Sequence, residues 1–169
     1  MQCKGCGNKV SQNVLKEVFQ KNIKNGSLDA DKVPEINNIY QTTDIISSII
    51  SDPYALGKIA AKHALNDIFA SNARPLSAQM IVSLPPALNK INKRDLIQIK
   101  AGADIIMKKS SCKINGGHTY SNNDDQIYLG FSIIGKKKKY KKIKKITPAN
   151  IYLTGKIGSA LVLSAIEKK

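Results

Sequence analysis

Asp52-Pro53-Tyr54-Ala55-Leu56-Gly57-Lys58-Ile59-Ala60-Ala61-Lys62-His63-Ala64-Leu65-Asn66-Asp67-Ile68-Phe69-Ala70 decides the reading of this chain. An aspartate followed by proline is a strong helix start, because the carboxylate caps free N–H groups and proline suits the first turn. Leu56, Ile59, Ala60, Ala64 and Ile68 then form one apolar stripe at helical spacing, which predicts a helix to about Ala70. Asn72-Ala73-Arg74-Pro75 ends it. Leu76–Leu84 reads as a buried strand closed by Pro85-Pro86, and Asn92–Lys108 as a second long helix.

Outward from this helix–strand–helix unit, Ile36–Ile46 is a candidate strand, with Asp44 placed at its end. Ser111–Ile114 is a short strand leading into a Gly116-Gly117 turn. Ile127–Ile134 and Ile151–Thr154 are further strands, and Ser159–Glu167 is a terminal helix. Val10–Phe19 has the spacing of an amphipathic helix, with Ser11 as cap. Long helices between strands require crossover connections, so the expected fold is α+β: a mixed sheet with helices packed on one face. The expected division is a mobile arm and first helix over 1–20, then one α+β domain over 21–169.

The 169 residues hold enough apolar content, 42%, for a sizeable core. No apolar run is long enough for a membrane span and the first residues lack a signal-peptide pattern, so a cytoplasmic location without membrane attachment is expected. Three cysteines do not make a disulfide framework. Lys and Arg outnumber Asp and Glu by 27 to 12, a net charge of +15. Eight of those 27 basic side chains fall in Lys136–Lys145. Tyr140 is the one aromatic residue in that run, which gives no platform for stacking bases. The block reads as a solvated loop, and a nucleic-acid partner is not expected.

Chemistry concentrates at three places. Cys3-Lys4-Gly5-Cys6-Gly7-Asn8-Lys9 sets a thiol between glycines, with Lys4 and Lys9 favouring the thiolate. Two exposed thiols on a mobile arm are the plainer account; a zinc site lacks two further ligands at paired spacing. Asp44 and Asp67 stand among apolar neighbours, and Asp67 shares the face of Ala60 and Ala64. Two such carboxylates converging would need a cation such as Mg²⁺, unless each only caps or pairs locally. Gly116-Gly117-His118 would let backbone N–H groups approach a phosphate, or would be a plain turn.

In order along the chain, Gly5-Cys6-Gly7-Asn8-Lys9, Thr42-Thr43-Asp44, Asp52-Pro53-Tyr54, Gly57–Ala70, Gly116-Gly117-His118-Thr119, Leu129-Gly130-Phe131 and Leu153–Gly158 resemble the selenide, water dikinase (selenophosphate synthetase) family. The likeness is to its amino-terminal, ATP-binding half, closest to the form fused to a pyridine-nucleotide-dependent flavoprotein. It implies the fold of the aminoimidazole ribonucleotide synthetase superfamily, in which two such domains pair their sheets into a barrel. It implies conversion of ATP, selenide and water to selenophosphate, AMP and phosphate.

By position, the resemblance makes Cys6 and Lys9 catalytic, with Lys9 also on the ATP phosphates. Asp29, Asp44, Asp67, Gly116, Gly117 and His118 would serve the nucleotide, and Asp44, Asp67 and Asp31 would hold Mg²⁺. The glycines and His118 would reach ATP from the other subunit of a homodimer formed through the sheet. A separate chain carrying the family's second domain is the other partner implied. Three positions depart from the pattern. Ala30 stands where a metal-binding aspartate belongs, with Asp29 or Asp31 as substitutes. Asn72 replaces a glycine, a mild change because asparagine tolerates the left-handed conformation. Lys156 is displaced within its segment. The second domain is absent from these 169 residues, and an isolated first half is expected to catalyse poorly.

Overall fold

Asp52 caps the long helix as the sequence requires: its Oδ1 accepts from the backbone N–H of Tyr54 at 2.9 Å and of Ala55 at 3.3 Å. Pro53 takes the first helical position. The computed structural model describes Val10, Val14, Glu17, Val18 and residues 31–33, 36–139 and 150–166. Its elements are β1 (Asp31–Lys32), β2 (Ile39–Ser47), α1 (Pro53–Ala70), β3 (Ala73–Leu84), α2 (Asn89–Lys109), β4 (Lys113–Ser121), β5 (Tyr128–Lys137) and α3 (Ser159–Ile166). Val14, Glu17 and Val18 are helical, within the expected first helix.

The strands form one sheet in the order β1-β2-β5-β3-β4. β3 and β4 run parallel, joined over α2, and the other pairs are antiparallel. This is the expected mixed sheet. A parallel pair needs a long crossover, and α2 supplies it. Both long helices lie on one side: α1 packs on β2, β5 and β3, and α2 packs on α1 and reaches β4. Tyr40 and Ile46 of β2, Leu129, Phe131 and Ile133 of β5 and Val82 of β3 turn toward α1's Leu56, Leu65 and Ile68. Gln41, Thr43 and Ile45 alternate onto the uncovered face.

Two glycines set the helix spacing. A Cβ on Gly57 would lie 2.1 Å from the Ile99 carbonyl oxygen, and one on Gly102 would lie 2.0 Å from that of Tyr54. Their absence lets the two backbones touch. Asn72, after α1, has φ of +53°, the left-handed conformation anticipated for it.

Five expectations change. Gly116 and Gly117 lie inside β4, which runs on to Ser121, and not in a turn after a short strand. β2 continues three residues past Asp44, so that carboxylate sits within the strand. Ala73–Pro75 belongs to β3; Pro75 is tolerated where the register with β5 shifts and before pairing with β4 begins at Ser77. Lys136 and Lys137 extend β5 because Asn38 and Asn72 continue the pairing: Lys137 N–H bonds to Asn38 O and Lys138 N–H to Asn72 O. Ile151–Thr154 is not a strand. Its residues are exposed and no described strand lies beside them to complete a ladder.

Candidate functional site

Strand alternation places Thr42 and Asp44 on the same face of β2, toward the helices, between Tyr40 and Ile46. Asp67 approaches that face from the last part of α1. It follows buried Ala64 by three residues, so it lies at the rim of the helix–sheet contact. The Thr42 hydroxyl donates to Asp67 Oδ2 at 3.1 Å. Asp44 Oδ2 is buried with no hydrogen-bond partner among the described residues. An ionised carboxylate oxygen in that condition is costly, and its cost falls if a cation meets it. The backbone at Asp44 is held tightly as well. A Cβ on Gly130 of β5 would lie 2.1 Å from the Asp44 carbonyl oxygen.

The structure thus brings two of the sequence-predicted residues, Asp44 and Asp67, to one helix–strand junction. It keeps Asp31 apart. Asp31 is exposed on the edge strand β1 and pairs with Gln41, so it takes the uncovered face of the sheet. Among the described residues no three His, Cys, Asp or Glu side chains gather as a metal cluster. Cys6, Lys9 and Asp29 lie outside the described residues, as does most of the lysine block.

Gly116, Gly117 and His118 lie on β4, at the far side of the sheet. Gly117 stands on the transverse row Asp44–Phe131–Met80–Gly117, three strands from Asp44. That is about 14 Å at ~4.8 Å per strand. Gly117 has φ of +154° and a Cβ there would lie 1.8 Å from the Met80 carbonyl oxygen; Gly116, at φ +150°, has open space around it. His118 shares a row with Ile81 and takes the uncovered face, where its ring stacks on Tyr120 with centroids 5.7 Å apart. Within one chain, β4 and the two carboxylates are separate.

Thr42 was named within the Thr42-Thr43-Asp44 stretch but given no role. The available signal was a hydroxyl at a position whose alternation partners, Tyr40 and Ile46, are apolar; such a group needs a buried acceptor.

A mixed sheet with both helices on one face defines an α+β class of domain that is shared with known proteins. Residues 28–136 match the family model "AIR synthase related protein, N-terminal domain". The chain belongs to that family. Curated relatives are selenide, water dikinases: that of Pseudomonas straminea is 30% identical over 98% of this chain and 50% of its own length. That of Citrifermentans bemidjiense is 30% identical over 76% of this chain and 37% of its own. The chain spans about half the length, or less, of these curated relatives. Among solved structures, thiamine monophosphate kinase from Aquifex aeolicus shares the fold at a TM-score of 0.61, with 17% identity over 75% of this chain and 41% of that one. HypE in the HypE–HypF complex does so at 0.56, with 23% identity over 75% of this chain and 43% of that one. No described helix is long and apolar enough to cross a membrane.

Proposed function

We propose that this chain is the amino-terminal, ATP-binding part of a selenide, water dikinase, forming selenophosphate, AMP and phosphate from ATP, selenide and water. The observation that carries the reading is the buried Asp44 Oδ2, without a partner among the described residues, on the strand face where Thr42 bonds Asp67. Hard carboxylate oxygens of this kind fit Mg²⁺, which keeps water and phosphate oxygens as its remaining ligands and so needs no third protein carboxylate. Asp44 and Asp67 would hold it; Asp31, on the other face, has no support in that role. When bound, the cation supplies charge neutralisation and orientation of the polyphosphate. Selenide, water dikinases that align over nearly the whole chain support the substrate assignment. So does the thiamine monophosphate kinase of this fold solved with AMPPCP and TMP, for the nucleotide.

Cys6 would handle selenium, Lys9 the ATP phosphates, and Asp29 the nucleotide. Gly116, Gly117 and His118 would contact nucleotide across a homodimer. Their separation from Asp44 within one chain favours that arrangement, and the uncovered face with Ile45, Ile134 and Tyr120 exposed gives a surface for it. A second reading, an inactive ATP-binding or dimerisation module, is favoured by Ala30 at the place of an expected aspartate.

Phosphorus NMR of the purified chain with ATP, Mg²⁺ and selenide under anaerobic conditions separates the two. Selenide-dependent AMP and a selenophosphate resonance, both lost in Cys6→Ser, support the dikinase. Intact ATP in the same sample overturns it for this chain and leaves the module.

A further inference from the structure

The geometry points to Thr42 as a positioning residue that orients Asp67 on the strand face that carries Asp44, an inference that rests on the metal reading above. Position 42 belongs to the apolar layer. It is 7% exposed, Tyr40 and Ile46 on the same strand face are 2% and 5% exposed, and its cross-strand partner Ile133 is fully buried. Valine would fill the same space without burying a hydroxyl, and a buried hydroxyl is unfavourable unless it is bonded. Here the hydroxyl donates to Asp67 Oδ2, which arrives from a helix 25 residues further on.

That bond does two things. It gives one carboxylate oxygen of Asp67, Oδ2, a donor fixed to the strand. It also ties α1 to β2 at a residue only two positions from Asp44, so that both carboxylates are referred to one strand face. Thr42 sets the helix side chain, and the missing Cβ of Gly130 sets the strand backbone at Asp44. A metal site needs this kind of outer support: groups that hydrogen-bond a ligating carboxylate determine how well it is aimed. Thr43, the next residue, points to the other face and bonds Ser132 Oγ at 3.2 Å, so the two threonines serve opposite sides of the sheet.

The test is Mn²⁺ binding to the full 169-residue chain, read from the loss of the free-ion EPR signal, with urea unfolding alongside. Thr42→Val and Thr42→Ala remove the hydroxyl; Thr42→Ser keeps it. The expected result is Mn²⁺ affinity weakened about ten-fold or more in the hydroxyl-free variants, retained in Thr42→Ser, and a urea midpoint for Thr42→Val no lower than wild type. A Thr42→Val chain that binds Mn²⁺ as tightly as wild type, while Asp67→Asn has lost it, overturns the role of Thr42 and leaves the metal reading standing. So does equal weakening in Thr42→Ser and Thr42→Val. A wild-type chain without Mn²⁺ binding, or binding indifferent to Asp44→Asn and Asp67→Asn, removes the metal reading and this inference together.

Discussion

The Thr42 hydroxyl and Asp67 Oδ2 meet at 3.1 Å, joining the second strand of the sheet to the end of the helix that covers it. The bond lies where two requirements conflict. Packing α1 on the sheet demands apolar contact, which Ala60, Ala64 and Ile68 provide. The proposed cation site demands carboxylates. The fold reconciles them by placing Asp67 at the rim of the contact and giving it a buried donor, while Asp44 keeps one buried oxygen without a partner among the described residues.

That unpartnered oxygen makes Asp44 a local cost in the metal-free protein. Replacing it with asparagine exchanges the carboxylate for a neutral amide at nearly constant volume. Asp44→Asn is expected to raise unfolding stability in divalent-free buffer by about 1–3 kcal/mol. Mg²⁺ should then stabilise the wild-type chain and leave the variant unmoved. Urea titrations with EDTA and with Mg²⁺ decide it; a variant weaker than wild type in EDTA would show that Asp44 is already satisfied.

The contact between α1 and α2 gives a second, independent expectation. Gly57 and Gly102 each face a backbone carbonyl of the opposite helix, at 2.1 and 2.0 Å from where a Cβ would stand. Backbone atoms cannot step aside as a flexible side chain can. Gly57→Ala and Gly102→Ala should each destabilise by about 2–4 kcal/mol, beyond what alanine gains in helix propensity. Because either substitution pushes the same helices apart, the double variant should fall short of the sum. Thermal melts of the three variants test both statements.

The helix start at Asp52-Pro53 and the left-handed Asn72 were legible because each is a local matter of capping or sterics. The two carboxylates were legible as charges among apolar residues. The position of Gly116-Gly117 was not. Paired glycines signal a turn locally, and what makes them strand residues is the close approach of Met80 on β3, together with a register shift between Ala78 and Met80. Lys136 and Lys137 were hidden likewise. Their charge masked an alternation that Ile133 and Gly135 continue on the helix side, where Gly135 leaves room for Ile68. Thr42 needed a partner 25 residues away, which no local pattern carries.

The two β4 glycines should therefore respond differently to the same change. Both have positive φ, +150° and +154°, so alanine is strained at either. Only Gly117 also faces the Met80 carbonyl, at 1.8 Å. Gly116→Ala should cost about 1–2 kcal/mol. Gly117→Ala should cost more and loosen β3–β4 pairing, seen as faster amide exchange from Thr119 to Ser121. Equal losses in the two variants would mean that backbone strain alone explains both.

The pH dependence of stability has a marker at the turn before β5. The Tyr128 hydroxyl donates to Asp124 Oδ2 at 2.7 Å, and this hydrogen bond is the first cause that raises the phenol above its ordinary value of 10.0. Burial and the charges of Asp124 and Asp125 act in the same direction. The folded chain therefore holds the phenolic proton more tightly than the unfolded chain does. The resulting stability is fully present below the unfolded value and is lost as pH rises through the higher folded one. Wild type should melt above Tyr128→Phe by a constant margin from about pH 7 to pH 9, and the margin should shrink above about pH 10. The ultraviolet titration of the wild-type chain should show a late phenolate that the Tyr128→Phe variant lacks. A margin that grows with alkali would reverse the sign and remove Asp124 as the acceptor.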